Sequence, residues 1–202
     1  MEIRKVVTTR YVGEDGFEFT FEPIEDTITV EKTPKGYVAR YLVQDDNPQS
    51  PDENEDNGLF LVNYHRDFDV RRDNIIVKQN VADYYGGEKI PQEDKYHIFN
   101  LSMLSHSGVW LSLNSSFTGD GGGWDTSHVG LVLVAKKEWH KRDKACKAAE
   151  SLVNEWNAFL SGDVYRCVVE YYDENKKQIN QESCWGYIGF EEAKKELKGF
   201  TR

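Results

Sequence analysis

The sequence is poor in cysteine, and its thiols are widely separated. The 202 residues include three cysteines, at positions 146, 167 and 184. An odd number of scattered thiols argues against a structural disulfide framework and fits a reducing compartment. No C-x-x-C pair and no pair of histidines at metal-binding spacing is present, so we expect neither a structural zinc site nor any other metal centre of that type.

Long apolar runs are absent too. No stretch approaches the roughly 20 apolar residues that a membrane-spanning helix needs. The first residues carry charge at Glu2, Arg4 and Lys5, and no apolar signal-peptide core follows them. The sequence therefore predicts a soluble, cytoplasmic protein without a membrane partner.

Negative charge is present in excess, and it is unevenly distributed. The formal net charge is −10, and residues 1–58 hold 14 acidic and 6 basic side chains, a net charge of −8. Such a surface repels phosphates, which disfavours direct binding of nucleic acid. It favours basic protein partners, including the nucleic-acid-binding surfaces of other proteins. A merely solvated acidic face is the alternative, and it stays open.

Strand-like and helix-like patterns alternate in a way typical of an α+β fold with a largely antiparallel sheet. We predict one long amphipathic helix at 142–161, where apolar residues recur at i, i+3, i+4 and i+7, and a short C-terminal helix at 190–198. Strands are predicted at 3–11, 17–21, 28–32, 37–43, 59–64, 96–104, 109–113, 129–135, 164–172 and 178–187. Residues 66–95 remain ambiguous.

No long linker or internal repeat divides the chain, so we predict a single domain over residues 1–202. Within it, residues 1–43 form an N-terminal strand meander, residues 44–58 an acidic loop and residues 59–202 the main body. The prolines and the glycine of the acidic loop place it on the surface.

The acidic loop is the first candidate site. Its carboxylates are predicted to bind a basic partner; they are Asp45, Asp46, Asp52, Glu53, Glu55 and Asp56. Calcium binding is the alternative, since oxygen ligands recur through residues 52–58. The glycine of that segment stands one place later than in a calcium loop, and position 63, where a glutamate ligand belongs, is asparagine.

Scattered titratable and aromatic residues provide a second candidate site. His106, Asp125 and Cys184 could form a nucleophilic set if the fold brings them together. Trp124, His128 and Trp185 are candidates for lining a ligand pocket. For Cys184 the alternative is a small buried side chain in a strand that packs against the long helix.

The glycine-rich segment 119–123 completes the set of candidates. It lacks the Lys-Ser or Lys-Thr of a phosphate-binding loop, and no helix pattern opens directly behind it. We therefore expect a surface loop and no cofactor. A basic cluster at 136–147 begins the long helix, where the helix dipole favours acids, and this indicates an interface or internal pairing with the acidic loop.

Five segments together resemble an uncharacterised protein family. They are Gln-Asp-Asp-Asn-Pro-Gln-Ser-Pro (44–51), Ser-His-Ser-Gly (105–108), Trp-Asp-Thr-Ser-His-Val-Gly (124–130), Ser-Gly-Asp-Val-Tyr (161–165) and Ser-Cys-Trp-Gly-Tyr (183–187). The family resembled is encoded by bacteriophages and mobile elements and has no established activity. The resemblance implies an accessory protein in the host cytoplasm, of the kind that opposes host defence.

Two functions follow as expectations. The first is an interaction protein that inhibits a host defence complex, in the manner of anti-restriction or anti-CRISPR proteins, through its acidic N-terminal third. The second is a small hydrolase or nucleotide-processing enzyme with a cleft around His106, Asp125 and Cys184. A calcium-binding module built on residues 44–58 is a third possibility.

Overall fold

The structure is a computed structural model that describes residues 4–5, 10–51, 57–91, 93–105, 108–113, 117 and 126–200. Contacts divide the chain into two compact units. Unit one comprises Met1–Gln49 and Gly162–Arg202, and unit two comprises Ser50–Ser161. Two compact units can belong to one domain or to two, so the single-domain organisation stays a prediction.

The described residues hold twelve strands and three α-helices. They follow the order β1 (Arg4–Lys5), β2 (Tyr11–Val12), β3 (Glu18–Phe19), β4 (Thr29–Thr33), β5 (Gly36–Gln44), β6 (Leu59–His65), β7 (Phe68–Val70), α1 (Lys78–Tyr85), β8 (Tyr96–Ser105), β9 (Val109–Leu113), β10 (Thr126–Ala135), α2 (Arg142–Ser161), β11 (Val164–Tyr172), β12 (Gln178–Ile188) and α3 (Phe190–Gly199). Strand pairs in the described residues are antiparallel. A mixed α and β fold with mostly antiparallel sheets is therefore confirmed.

Unit one contains two sheets. Strands β1, β2 and β3 pair in chain order, while the second sheet has the order β12-β11-β5-β4. The strands of the predicted 1–43 meander are thus divided between two sheets, because β5 takes β11 as its second neighbour. Alternate side chains of the larger sheet enter two cores: Tyr41 packs with Phe17 and Phe19, and Leu42 packs with Leu197 of α3.

Unit two is built on one five-stranded sheet with the order β7-β6-β10-β8-β9. Helix α2 buries Leu152 and Trp156 against one face, and α1 buries Val81 in the cluster on the other face. Gly130 in β10 lies so close to β6 that a Cβ atom there would fall on the carbonyl oxygen of Val62. The region that the sequence left ambiguous contains β7 and α1.

None of the helices in the described ranges combines the length and the apolar character that crossing a membrane requires.

Candidate functional site

The predicted site residues are only partly covered by the described ranges. Asp45, Asp46, His128, Cys184 and Trp185 are described. The others lie outside the described residues; they are Asp52, Glu53, Glu55, Asp56, His106, Trp124 and Asp125. The calcium loop, the glycine-rich segment and the proposed nucleophilic set therefore stay predictions.

A β-bulge in β12 positions Trp185. In the pairing of β12 with β11, Tyr187 lies opposite Tyr165, and Cys184 lies opposite Cys167. Two residues of β12, Trp185 and Gly186, therefore lie opposite one residue of β11, Arg166. Gly186 has a φ of 80°, a conformation that residues with a Cβ adopt only at a cost. The bulge turns the indole of Trp185 over β11 while 54% of the residue stays exposed.

Beneath this indole lies Arg166, the residue that the bulge faces. Its guanidinium carbon is 3.7 Å from the ring centroid of Trp185 and 3.3 Å from that of Phe21. The three side chains form a stack, called here the Arg166 stack, in which a cation is held between two aromatic faces. Such contacts stabilise a cation because the faces of the rings are electronegative.

Arg166 is a buried cation whose side chain is not fully satisfied by hydrogen bonds. Arg166 is 3% exposed, and its Nε atom has no hydrogen-bond partner among the described residues. Burial lowers the pKa of Arg166, while the nearby carboxylates of Asp45 and Asp46 act in the opposite direction. The aromatic faces cover the flat sides of the guanidinium but accept none of its N–H groups.

Asp45 lies at the end of β5 and is fixed by two hydrogen bonds. Its main-chain N–H donates to the carbonyl oxygen of Val164 at 2.9 Å, and its carboxylate accepts from the main-chain N–H of Asn47 at 3.1 Å. Asp45 is 5% exposed, while Asp46 beside it is exposed. Neither carboxylate forms an ion pair within the described residues.

Asp45 and Trp185 line one cleft on unit one. The cleft has a volume of about 540 Å³ and is also lined by Asn47, Gln49 and Gly186. We call it the Asp45 cleft. It offers a carboxylate, two side-chain amides and an exposed indole face, which is a set that suits a cationic or hydrogen-bonding group. The sequence predicted Asp45 as a partner contact and Trp185 as a pocket residue, and the structure places them together.

Other acidic side chains of the N-terminal third already have cationic partners. Glu18 pairs with Arg10 at 2.6 Å and Glu31 pairs with Arg40 at 3.0 Å. Asp26 lies 3.7 Å from Lys194 of α3. Internal pairing thus neutralises part of the acidity that the composition suggested. Asp45, which lines the cleft, and its neighbour Asp46 take part in no ion pair within the described residues.

Glu170 anchors the backbone next to the Arg166 stack. It is fully buried on β11 and accepts hydrogen bonds from the Thr20 N–H at 2.9 Å, the Tyr172 hydroxyl at 2.6 Å and the Gln178 amide at 3.1 Å. Burial first, and then the hydrogen bond to Glu170, raise the pKa of Tyr172 above its usual range. Because Thr20 precedes Phe21, this network holds one wall of the stack.

Sequence reasoning missed Arg166 and Glu170, although a signal was present. Both stand at alternate positions of β11 together with Val164, Val168 and Tyr172. Their side chains therefore lie on the same buried face of a mainly apolar strand. A charge at an inward position of such a strand needs a special partner, and that rule would have singled out both residues.

His128 is held by two neighbours in unit two. Its Nδ1 atom lies 3.1 Å from the hydroxyl of Ser102, and its ring stacks on Tyr85 with centroids 5.0 Å apart. The Tyr85 hydroxyl lies within hydrogen-bonding distance of the carbonyl oxygens of Leu101 and Gly130, which fixes the tyrosine. Ser102 is fully buried while His128 is exposed, so the imidazole is the member of the pair that a ligand can reach.

Cys184 is exposed, so the expectation of a buried side chain beneath the long helix is wrong. Its strand, β12, is at the edge of its sheet, and an edge strand leaves one side uncovered. The helix in contact with β12 is α3, whereas α2 packs on β6, β8, β9 and β10.

Within the described ranges, no group of three or more His, Cys, Asp or Glu side chains could hold a metal ion. No protein-family model, no curated protein and no solved structure matches the chain.

Proposed function

We propose that this protein acts by binding a basic protein surface at the Asp45 cleft, and that it is a phage-type accessory protein that inhibits a host defence complex. The observation that carries the proposal is the position of the Asp45 carboxylate beside the exposed indole of Trp185 in one cleft, with the exposed Asp46 next to it in the chain.

The chemistry of the cleft suits an arginine or lysine side chain of the partner. A guanidinium can stack on the exposed face of an indole and donate hydrogen bonds to a carboxylate at the same time. Tryptophan is enriched among the residues that dominate binding energy at interfaces. Asp45 is already oriented by its own hydrogen bonds, so little freedom is lost when a partner binds.

Inhibition of a defence complex would follow from competition. Nucleic-acid-binding proteins present basic grooves to phosphates, and an acidic surface can occupy such a groove. A net charge of −10 and the resemblance to a phage-encoded family support this part of the proposal. The predicted result is loss of nucleic-acid binding by the target, with no contact between this protein and nucleic acid.

Binding of a fluorescent arginine-rich peptide, followed by anisotropy at increasing salt, tests the cleft. We expect Asp45→Asn/Asp46→Asn to weaken binding by about tenfold, equivalent to about 1.4 kcal/mol. The matched control is Glu14→Gln/Glu174→Gln, which removes the same charge from exposed positions that do not line the cleft. An equal loss in both variants would show that only overall charge matters, and it would refute the cleft as the binding site.

The inhibitory role needs a cellular test. Co-expression of the protein with individual nuclease-based defence systems, scored by phage plaque counts, should restore plaques for at least one system. Restoration should be lost in the Asp45→Asn/Asp46→Asn variant and kept in the control variant. Full protection by every defence system in the presence of the wild-type protein would contradict the proposal.

The alternative is a hydrolase or nucleotide-processing enzyme, and the observation in its favour is the orientation of His128 by Ser102 and Tyr85. When Nδ1 carries the hydrogen and donates it to the Ser102 hydroxyl oxygen, Nε2 is the unprotonated nitrogen and can accept a proton as a general base does. Turnover of nucleotides or activated esters that is lost in His128→Ala or in Cys184→Ser would favour this alternative. Iodoacetamide labelling of Cys184 at the rate of an ordinary exposed thiol would argue against a nucleophilic cysteine.

A further inference from the structure

Two of the three cysteines face each other across the sheet of unit one. Cys167 of β11 and Cys184 of β12 are directly opposed in the antiparallel register, so their side chains lie on the same face. Opposed residues of an antiparallel pair have Cα atoms about 4.5–5.5 Å apart. That spacing falls within the range of about 4.4–6.8 Å over which disulfides form.

The two thiols have different surroundings. Cys167 is fully buried, and its Sγ atom lies 3.6 Å from the carbonyl oxygen of Ala193 in α3. Burial first, and then the charge of Cys184, raise the pKa of Cys167 to about 12. Cys184 is exposed, and its proximity raises the pKa of the Tyr187 hydroxyl. An oxidant from solution therefore reaches Cys184 first, with Cys167 behind it.

We propose that Cys167 and Cys184 are an oxidative modification site, which a hydroperoxide converts into a reversible disulfide between β11 and β12. This inference does not rest on the proposed binding function. It also agrees with the scattered cysteines of the sequence, since the bond would be a switchable modification and not part of a structural framework.

The reaction proceeds in two steps that balance. The Cys184 thiol loses its proton, the thiolate attacks one oxygen of hydrogen peroxide, and the O–O bond breaks to give a sulfenic acid and a hydroxide ion, which takes up the released proton to become water. The sulfur of Cys167 then loses its proton and attacks the sulfur of Cys184, the S–O bond breaks, and a second water leaves. Two thiols and one peroxide thus yield one disulfide and two waters.

The bond would form beside the Arg166 stack. Cys167 follows Arg166 on β11, and Cys184 precedes Trp185 on β12. A covalent link at this point holds the two strands together where the bulge turns Trp185 over the guanidinium. Oxidation would thereby restrict the movement of the Trp185 indole at the Asp45 cleft.

Peptide mapping of the native protein tests the proposal. The protein is treated with hydrogen peroxide, unfolded, alkylated with iodoacetamide and cleaved with trypsin. We expect a cross-linked pair of peptides, residues 167–176 joined to residues 178–194, that disappears after treatment with dithiothreitol. Alkylation should fall from three thiols to one, and the remaining label should lie on Cys146.

Two variants and one control condition sharpen the test. Cys146→Ser should form the same cross-linked peptide pair, and Cys184→Ser should form none. The protein oxidised in strong urea should yield a mixture of pairings that includes Cys146. If the native protein instead accumulates sulfinic acid at Cys184 while Cys167 remains alkylatable, or pairs its cysteines as the unfolded protein does, the proposal is wrong.

Discussion

Replacing Glu170 with alanine is expected to lower the free energy of unfolding of unit one by about 4 kcal/mol. Glu170 is fully buried and accepts hydrogen bonds from Thr20, Tyr172 and Gln178. Hydrogen bonds to a charged acceptor contribute about 1.5–3 kcal/mol each, and a buried donor left without an acceptor costs about 1–3 kcal/mol. Tyr172 can still donate to the carbonyl oxygen of Glu18, so the three losses are not additive.

The matched variant Glu170→Gln separates hydrogen bonding from charge. Its side-chain oxygen can accept from Thr20 and Gln178, and its amide can donate to the Tyr172 oxygen while that hydroxyl donates to Glu18. We therefore expect a cost of only about 1 kcal/mol. Urea denaturation measures both costs, and hydrogen exchange of the peptide 167–176 assigns them to unit one. An equal loss of unfolding free energy in the two variants would show that the negative charge of this residue, and not its hydrogen bonding, stabilises unit one.

Three further predictions concern unit two. Gly130→Ala should abolish soluble expression or cost more than about 3 kcal/mol in urea denaturation, because its Cβ would overlap the carbonyl oxygen of Val62. Burial raises the pKa of Tyr85 to about 12 from an unfolded value near 10, so stability is retained below pH 10 and falls as the pH rises toward 12. Because Tyr85 is only partly buried, solvent screens part of this effect, and we expect the wild type to lose about 1 kcal/mol more than Tyr85→Phe over that interval in urea titrations; parallel curves would contradict the assignment. Asn157→Ala should cost about 2 kcal/mol, since this side chain bonds both the N–H and the carbonyl of Leu111, whereas a change below about 0.5 kcal/mol would mean that water replaces it.

Local patterns identified several elements, but they could not identify their partners. The strands predicted at 109–113 and 164–172 have the bounds of β9 and β11. Strand bounds are predictable where the residue types of the strand and the turns on either side of it are local features of the sequence. The pairing of β5 with β11 joins residues more than a hundred positions apart, and nothing within either strand specifies it. Strand β12 was recognised, but its place at the sheet edge was not, and for that reason the alternative of a buried Cys184 was wrong.

The candidate site was predictable in its parts and not as a whole. Asp45 was recognised through the local density of acids, and Trp185 through its aromatic character. Their meeting depends on a one-residue bulge and on the registers of β5, β11 and β12, which arise only when the sheet assembles. The position of Arg166 in β11 was a readable signal, but its aromatic partners could not be predicted, because Phe21 and Trp185 lie on separate segments.

The chain leaves the sheet of unit one and rejoins it at adjacent points. The side-chain amide of Gln44, at the end of β5, donates to the carbonyl oxygens of Gly162 and Val164, where β11 begins. Residues 50–161 therefore form one long connection between the end of β5 and the start of β11, two strands that are paired with each other. A short linker joining residue 49 to residue 162 would close the same hairpin, and it would turn unit one into a shorter chain with every strand pairing of its sheets unchanged.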